Sequence, residues 1–249
     1  MRLTLEIWRQ ADTSSAGRYE SYTVDDATPE MSLLELLDRL NDALVAQGQE
    51  PVAFDSDCRE GVCGSCGITV DGRPHGPLLN TPSCRQHVRS FSDGARVRLE
   101  PFRSAAYPVV RDLVVDRSAL DRMITSGGYV AVDAGTAADA DAEPLPHDDA
   151  EYALDFAACI GCGACVAACP NGAAHLFAGA KLLHLGTVTR GRQERGRRAS
   201  ALIAQMDQDF GPCSSYGECS EVCPESIPLT AVAAVNREVV RARLRGKPD

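Results

Sequence analysis

The chain has 249 residues, of which 44% are hydrophobic, 24% charged and only 5% aromatic; this is ordinary globular composition with a mostly aliphatic core. The net charge of −10 argues against bulk nucleic-acid binding, which runs on positive potential. No apolar run approaches the roughly 20 residues of a membrane span, and the alternating start MRLTLEIWRQ lacks the apolar stretch of a signal peptide. The expectation is a cytosolic chain that meets a membrane only through a partner.

Leu3, Leu5 and Ile7 alternate with polar residues, which predicts a half-buried strand. Residues 19–24 are its expected hairpin partner across the turn-like ADTSSAG. A helix follows, with Thr28 expected as N-cap and Pro29 at the first helical position. Leu33, Leu36, Leu37, Leu40 and Leu44 share one face of it, and Gly48 is its expected stop. After a Gly- and Cys-rich loop come strand-like stretches at 68–70 and 96–100. Residues 1–105 therefore read as a small mixed sheet with a helix across it. Residues 106–151 read as a connection: an apolar segment at 112–116, a short helix at 120–124, and an Ala/Pro-rich loop at 133–151 with seven acids and no Lys or Arg. Residues 152–249 form a second unit with helices expected at 164–168, 199–209 and 229–245. Two basic stretches, 190–198 and the C-terminus with Arg237, Arg241, Arg243, Arg245 and Lys247, read either as solvated charge or as docking faces for a partner or anionic lipid.

Eleven cysteines in a chain without an export signal make a poor disulfide framework and point to metal. Cys58-x4-Cys63-x2-Cys66, with Cys84 further on, is the plant-type ferredoxin spacing for a 2Fe–2S cluster. Gly61, Gly64 and Gly67 let the loop wrap closely, and inward N–H groups suit electron-rich sulfides; Arg59 either adds positive charge or is simply exposed. A four-cysteine zinc site is the competing reading, but it usually shows two CxxC knuckles, and only Cys63/Cys66 is one. Further on, Cys159-x2-Cys162-x2-Cys165-x3-Cys169-Pro170 is the bacterial dicluster run, whose fourth cysteine ligates the other cluster. Cys213-x2-Tyr216-x2-Cys219-x3-Cys223-Pro224 repeats it with Tyr216 in place of the second cysteine. The crossover rule then gives Cys159, Cys162, Cys165 and Cys223 to a 4Fe–4S cluster. It leaves Cys169, Cys213 and Cys219 as three ligands, which predicts a 3Fe–4S cluster; the alternative is a 4Fe–4S cluster with Tyr216 or water at one corner. No nucleophile–base pair, Gly-rich phosphate loop or metallohydrolase motif is present, so no catalytic residue is assigned to this chain. Five scattered histidines read as surface or packing groups, with His175 and His184 placed near an exit for electrons or protons.

A plant-type 2Fe–2S unit followed by a dicluster unit with one missing cysteine resembles the iron–sulfur subunits of succinate dehydrogenase and fumarate reductase, over nearly the whole chain. PVVRDLVVDRSALDRM at 108–123 is similar to that family's inter-domain connection. The resemblance implies an α+β fold: an N-terminal β-grasp domain and a C-terminal all-α dicluster ferredoxin-like domain. It implies a flavoprotein partner carrying FAD, a membrane anchor, a quinone acceptor, and a peripheral position on the cytoplasmic face of the membrane. Many relatives carry tryptophans just after the proline matching Pro170 and a histidine just after the cysteine matching Cys213. Here Ala173, Ala174 and Ser214 stand there, so the expected acceptor is an anchor cofactor such as haem b, with Pro170, Ser214 and His175 as the exit. Rival readings are a three-cluster subunit of another flavoprotein, fumarate reduction in the reverse direction, a free ferredoxin-like carrier, and a structural zinc protein.

Overall fold

The computed structural model describes residues 1–129, 144–188 and 192–245, without the side chains of 192–194 and 242–245. Strand β1 (Leu3–Arg9) pairs antiparallel with β2 (Arg18–Val24), Leu3 opposite Val24 and Arg9 opposite Arg18. On its other side β1 runs parallel to β5 (Arg96–Pro101). The short strands β3 (Ile68–Val70) and β4 (Arg73–Pro74) complete a five-stranded sheet in the order β2-β1-β5-β3-β4. The alternation read from the sequence holds: Leu3, Leu5 and Ile7 point into the core.

Helix α1 (Leu33–Ala46) lies in the same core through Leu33, Leu34, Leu36, Leu37, Leu40 and Leu44. Each such burial is worth about 1.5–3 kcal/mol, more than intrinsic helix propensity supplies. The helix begins four residues later than Thr28 and Pro29 suggest. Ser32 is the N-cap: its Oγ accepts from Glu35 N at 3.2 Å while the Glu35 carboxylate accepts from Ser32 N at 2.6 Å. This reciprocal pair satisfies two orphan donors, which a Thr28 start would leave open. At the other end Gly48 N donates to Val45 O and Gln49 N to Leu44 O, at 3.0 and 2.8 Å, a Schellman closure.

The connection does not stand apart from the folded units. Strands β6 (Val109–Arg111) and β7 (Val114–Val115) form a bulged hairpin, followed by α2 (Ser118–Met123) and a single π turn, Ile124–Gly128. Phe102, Tyr107, Val115, Leu120 and Met123 pack into one core with Phe177, Leu202 and Val235 of the helical part. Asp112, only 2% exposed, accepts from Arg9 Nε at 3.2 Å and from the backbone N–H of Gln10 and Ala53 at 2.9 Å each. It thereby fixes the hairpin to the end of β1.

The C-terminal part is helical: α3 (His147–Ala157), α4 (Ala164–Ala168), α5 (His175–Val188), α6 (Arg192–Asp209), α7 (Glu218–Glu221) and α8 (Thr230–Arg245). Three expectations change here. Residues 147–151 are not loop but the first turn and more of α3, where Asp148 and Asp149 sit at the positive end of the helix dipole; 133–143 lie outside the described residues. Helix α5 has no counterpart in the sequence reading. Nine of its residues, Leu176 and Leu185 among them, are buried, and a helix apolar all round shows no periodic face. Helix α6 starts well before residue 199, so part of the basic stretch at 190–198 is structural. Arg195 pairs with Glu238 of α8 at 2.7 Å, and buried Arg198 donates to the carbonyls of Gly127 and Tyr129 at 2.7 Å each.

Candidate metal centres

The first cysteine group sits on the loop after α1 and on a 3₁₀ turn, Ser83–Arg85, with Cys66 and Cys84 packed into the core of the sheet. Positive φ at Arg59, Gly61 and Gly64 (55°, 87° and 74°) turns successive N–H groups inward. Cys58 Sγ accepts from Glu60 N at 3.3 Å and Val62 N at 3.4 Å, and Cys63 Sγ from Ser65 N at 3.4 Å. Those backbone donors pull the Cys58 thiol down to about 7. The Cys63 thiol pulls Cys58 the same way, and Cys66 lies close enough to both Cys84 and Cys63 to be shifted by them. The Cys66 contact brings the Cys84 thiol down to about 7, against its partial burial. All four predicted residues are thus one contiguous set. Arg59 is held on α1 by the Asp38 carboxylate and faces Cys84 electrostatically.

The second group joins both cysteine runs. Burial pushes the Cys162 thiol up to about 12, and the nearby Cys159 and Cys223 push it the same way. Cys165 is raised further by burial, then by Cys162, Cys159, Cys223 and Cys219. Cys159, Cys162, Cys165 and Cys223 line one small cavity with Leu176, Phe177 and Ile227. Cys223 arrives there from a chain position 54 residues past Cys169, the pairing that the crossover rule demands. Four thiols packed this closely in apolar surroundings fit a cationic iron cluster, which would hold them as thiolates and offset the repulsion between those charges.

Cys169, Cys213 and Cys219 form the third group. They line a second cavity of ≈ 220 Å³ together with Pro170, His175, Ser214 and Tyr216. Burial raises the Cys219 thiol, and Cys169 and Cys213 add to it. Asn171 Nδ2 donates to Ser214 Oγ at 2.7 Å and Pro212 O at 3.0 Å, locking the two runs together. Tyr216, at the position of the missing cysteine, is 63% exposed, and His175 Nδ1 is buried without a partner. Leu176 lines both cavities and is the apolar wall between them. Among the described residues no three His, Cys, Asp or Glu side chains converge as a single ion needs. Zinc draws four sulfurs to about 2.3 Å of one point, whereas a cluster keeps its thiolates apart at its corners.

The first two groups meet. An added Cβ on Gly64 would lie 2.4 Å from Ile160 O and 3.0 Å from Cys162 N, so the two cysteine loops touch backbone to backbone. Arg117, at the start of α2, reaches into this seam. Its Nη1 donates to Gly64 O at 2.5 Å and Cys162 O at 2.8 Å, and its Nη2 to Ser65 O at 3.2 Å. In the sequence alone, the segment around Arg117 and Asp112 reads only as a connection. The available signal was two charged residues embedded in an apolar run.

The family model of a 2Fe-2S iron-sulfur cluster binding domain matches residues 4–122, and that of a 4Fe-4S dicluster domain matches residues 158–227. The chain is 28% identical to the "Succinate dehydrogenase iron-sulfur subunit" of Bacillus subtilis over 93% of its own length and 90% of that protein's. It is 29% identical to an Escherichia coli "Fumarate reductase iron-sulfur subunit" (92% and 90%) and 26% identical to that of Wolinella succinogenes (96% and 97%). A solved structure, "Mycobacterium smegmatis Sdh1 complex in the apo form", contains a chain of the same fold with a TM-score of 0.64 at 22% identity, covering 97% of each chain.

Proposed function

We propose, from the chain's likeness to the iron–sulfur subunits of succinate dehydrogenase and fumarate reductase, that it belongs with them and is the electron-transfer subunit of a succinate:quinone oxidoreductase. The observation that carries the reading is the division of all eleven cysteines into sets of four, four and three, the last with Tyr216 where a fourth thiol would stand. Cys58, Cys63, Cys66 and Cys84 would hold a 2Fe–2S cluster, and Cys159, Cys162, Cys165 and Cys223 a 4Fe–4S cluster. Cys169, Cys213 and Cys219 would hold a 3Fe–4S cluster. When bound, these groups supply one-electron redox chemistry, which relays electrons from the FAD of a flavoprotein partner toward a membrane anchor.

The chain's own residues bind, insulate and orient. Backbone donors at 60, 62 and 65 stabilise negative charge on the first set of sulfurs. Phe177, Leu176 and Ile227 exclude water from the second. Pro170, Ser214 and His175 rim the third and would form the exit toward the anchor; because Ala173 presents only a methyl group to the cavity, the acceptor there would be an anchor cofactor such as haem b, ahead of quinone. No described helix is long and apolar enough to cross a membrane. From the likeness to subunits of succinate dehydrogenase and fumarate reductase, the proposal places the anchor in another subunit, with this chain peripheral on the cytoplasmic face. Similar likeness to fumarate reductase subunits favours a second reading, in which the same relay runs in reverse. The test is anaerobic purification of the tagged complex, with iron, sulfide, flavin and haem quantified. Succinate-dependent quinone reduction and a 3Fe-type EPR signal in the oxidised state are expected. Fully loaded protein with flavin and no activity on succinate or fumarate would transfer the chain to another flavoenzyme; fully loaded protein without the 3Fe-type signal would reject the three-ligand assignment.

A further inference from the structure

We propose that Arg117 is a positioning residue between the first two clusters: it clamps their two loops at a fixed separation and places a permanent positive charge in the seam between them. The inference rests on the cluster assignment above and extends it to a residue outside every ligand set.

One guanidinium crosses the seam. Nη1 is shared between Gly64 O of the first loop and Cys162 O of the second, and Nη2 takes Ser65 O. Cys162 is a second-set ligand, and Gly64 and Ser65 lie between Cys63 and Cys66, so the cation sits against the ligand loops of both sets. A planar fork with donors fixed in direction suits this arrangement, and a lysine ammonium cannot reproduce it. The partners are carbonyl oxygens, so none of these bonds neutralises the charge. Its field also reaches the half-buried Asp55 before the first cysteine loop, whose carboxyl burial raises and Arg117 pulls back down. The positive field reaches groups on both sides of the seam: His75 and Tyr107 as well as Cys162. His75 packs edge-on against Phe102 with its Nδ1 bonded to Ser83 and adds no charge of its own. A fixed cation beside a reducible cluster favours the reduced, more negative state, and partial burial keeps that effect from being screened away.

The physical consequence is selective. Arg117 raises the potentials of the first and second centres together and leaves the third unaffected, because the three-cysteine cavity is lined by other residues. The donor end of the relay is thereby kept reducible while the gap between its first two members stays fixed.

The test uses the intact anaerobic complex carrying R117Q and R117K, with EPR-monitored redox titration of each centre and iron content as readouts. R117Q is expected to raise the oxidised-to-reduced ratio of both the first and second centres about tenfold at a given potential, a downward shift of about 59 mV for a one-electron group. The third centre is expected to keep its potential. R117K, which keeps the charge, is expected to stay near wild type in potential while weakening the magnetic interaction between the two reduced centres. A purely structural residue would not separate the two variants in this way. Unmoved potentials in iron-replete R117Q overturn the inference, as does an R117K shift equal to that of R117Q. If R117Q sheds iron, wild-type potentials in R117K support the inference, and iron loss in both variants refutes the charge role. A wild-type complex without the first two signals overturns the cluster assignment and this inference together.

Discussion

Gly64→Ala tests the contact between the two cysteine loops at a single atom. Gly64 has φ +74°, and the added Cβ would fall 2.4 Å from Ile160 O. The left-handed conformation alone costs a non-glycine residue about 1–2 kcal/mol. Ordinary C···O contact is about 3.3–3.6 Å, so the loops must also part by roughly 1 Å. Arg117 bonds at 2.5, 2.8 and 3.2 Å across the same seam cannot all follow, and losing one to a partly buried carbonyl costs about 1–3 kcal/mol. The total is about 2–5 kcal/mol. Gly48→Ala is the control: its φ is +70° but nothing lies within 4 Å of the added Cβ, so only the first penalty applies. For a chain of this size 1 kcal/mol moves the midpoint by about 2–4 °C. Thermal melts of the anaerobic complex are therefore expected to place Gly64→Ala clearly below Gly48→Ala, with weaker magnetic interaction between the first two reduced centres in Gly64→Ala only. Equal melting of the two variants with undiminished interaction would refute the close seam.

Tyr216→Cys supplies the missing thiol at an exposed position, and one additional iron per chain with loss of the 3Fe-type EPR signal is the expected result of metal analysis and spectroscopy. Asp112→Asn removes the charge from the buried carboxylate that Arg9 pairs with, and chemical denaturation is expected to show a loss of about 3–5 kcal/mol. Burial pushes His75 down to about 3 in the folded chain, against about 6.5 when unfolded. The unfolded state therefore binds the extra proton between those values, and stability is complete above pH 6.5 and falls by about 1.4 kcal/mol per unit below it. His75→Asn, tolerated at φ +71°, is expected to flatten that slope in denaturation curves taken between pH 7.5 and 5.

What the sequence made legible was whatever is written in local spacing. The grouping of the cysteines was readable because the spacing of the two runs brings Cys223 into one cavity with Cys159, Cys162 and Cys165, and leaves Cys169, Cys213 and Cys219 to another. The α1 face was readable because one side of that helix meets a sheet and the other meets water. Helix α5 was hidden for the opposite reason, being buried on nearly all sides. Ser32 outcompeted Thr28 as cap because only Ser32 has a glutamate three residues on. Arg117 and Asp112 were read as an ordinary connection because their partners lie 45 to 103 residues away. The Arg195 and Arg198 contacts were missed likewise, since Glu238, Gly127 and Tyr129 are remote in the chain.

The crossover between the two cysteine runs also dictates an order of biogenesis. The four cysteines of the first set lie within residues 58–84 and emerge early from the ribosome, so that centre can be loaded on a nascent chain. The second set is incomplete until Cys223 has been made, and the third until Cys213 and Cys219 have. Since synthesis proceeds at about 5–20 residues per second, the helical half spends several seconds as a scaffold with open thiols and no means of closing either cavity. On the proposed ligand sets, insertion of the last two clusters would wait until Cys219 and Cys223 have been made, near the end of synthesis, which would make a late, coupled maturation step an inherent property of this topology.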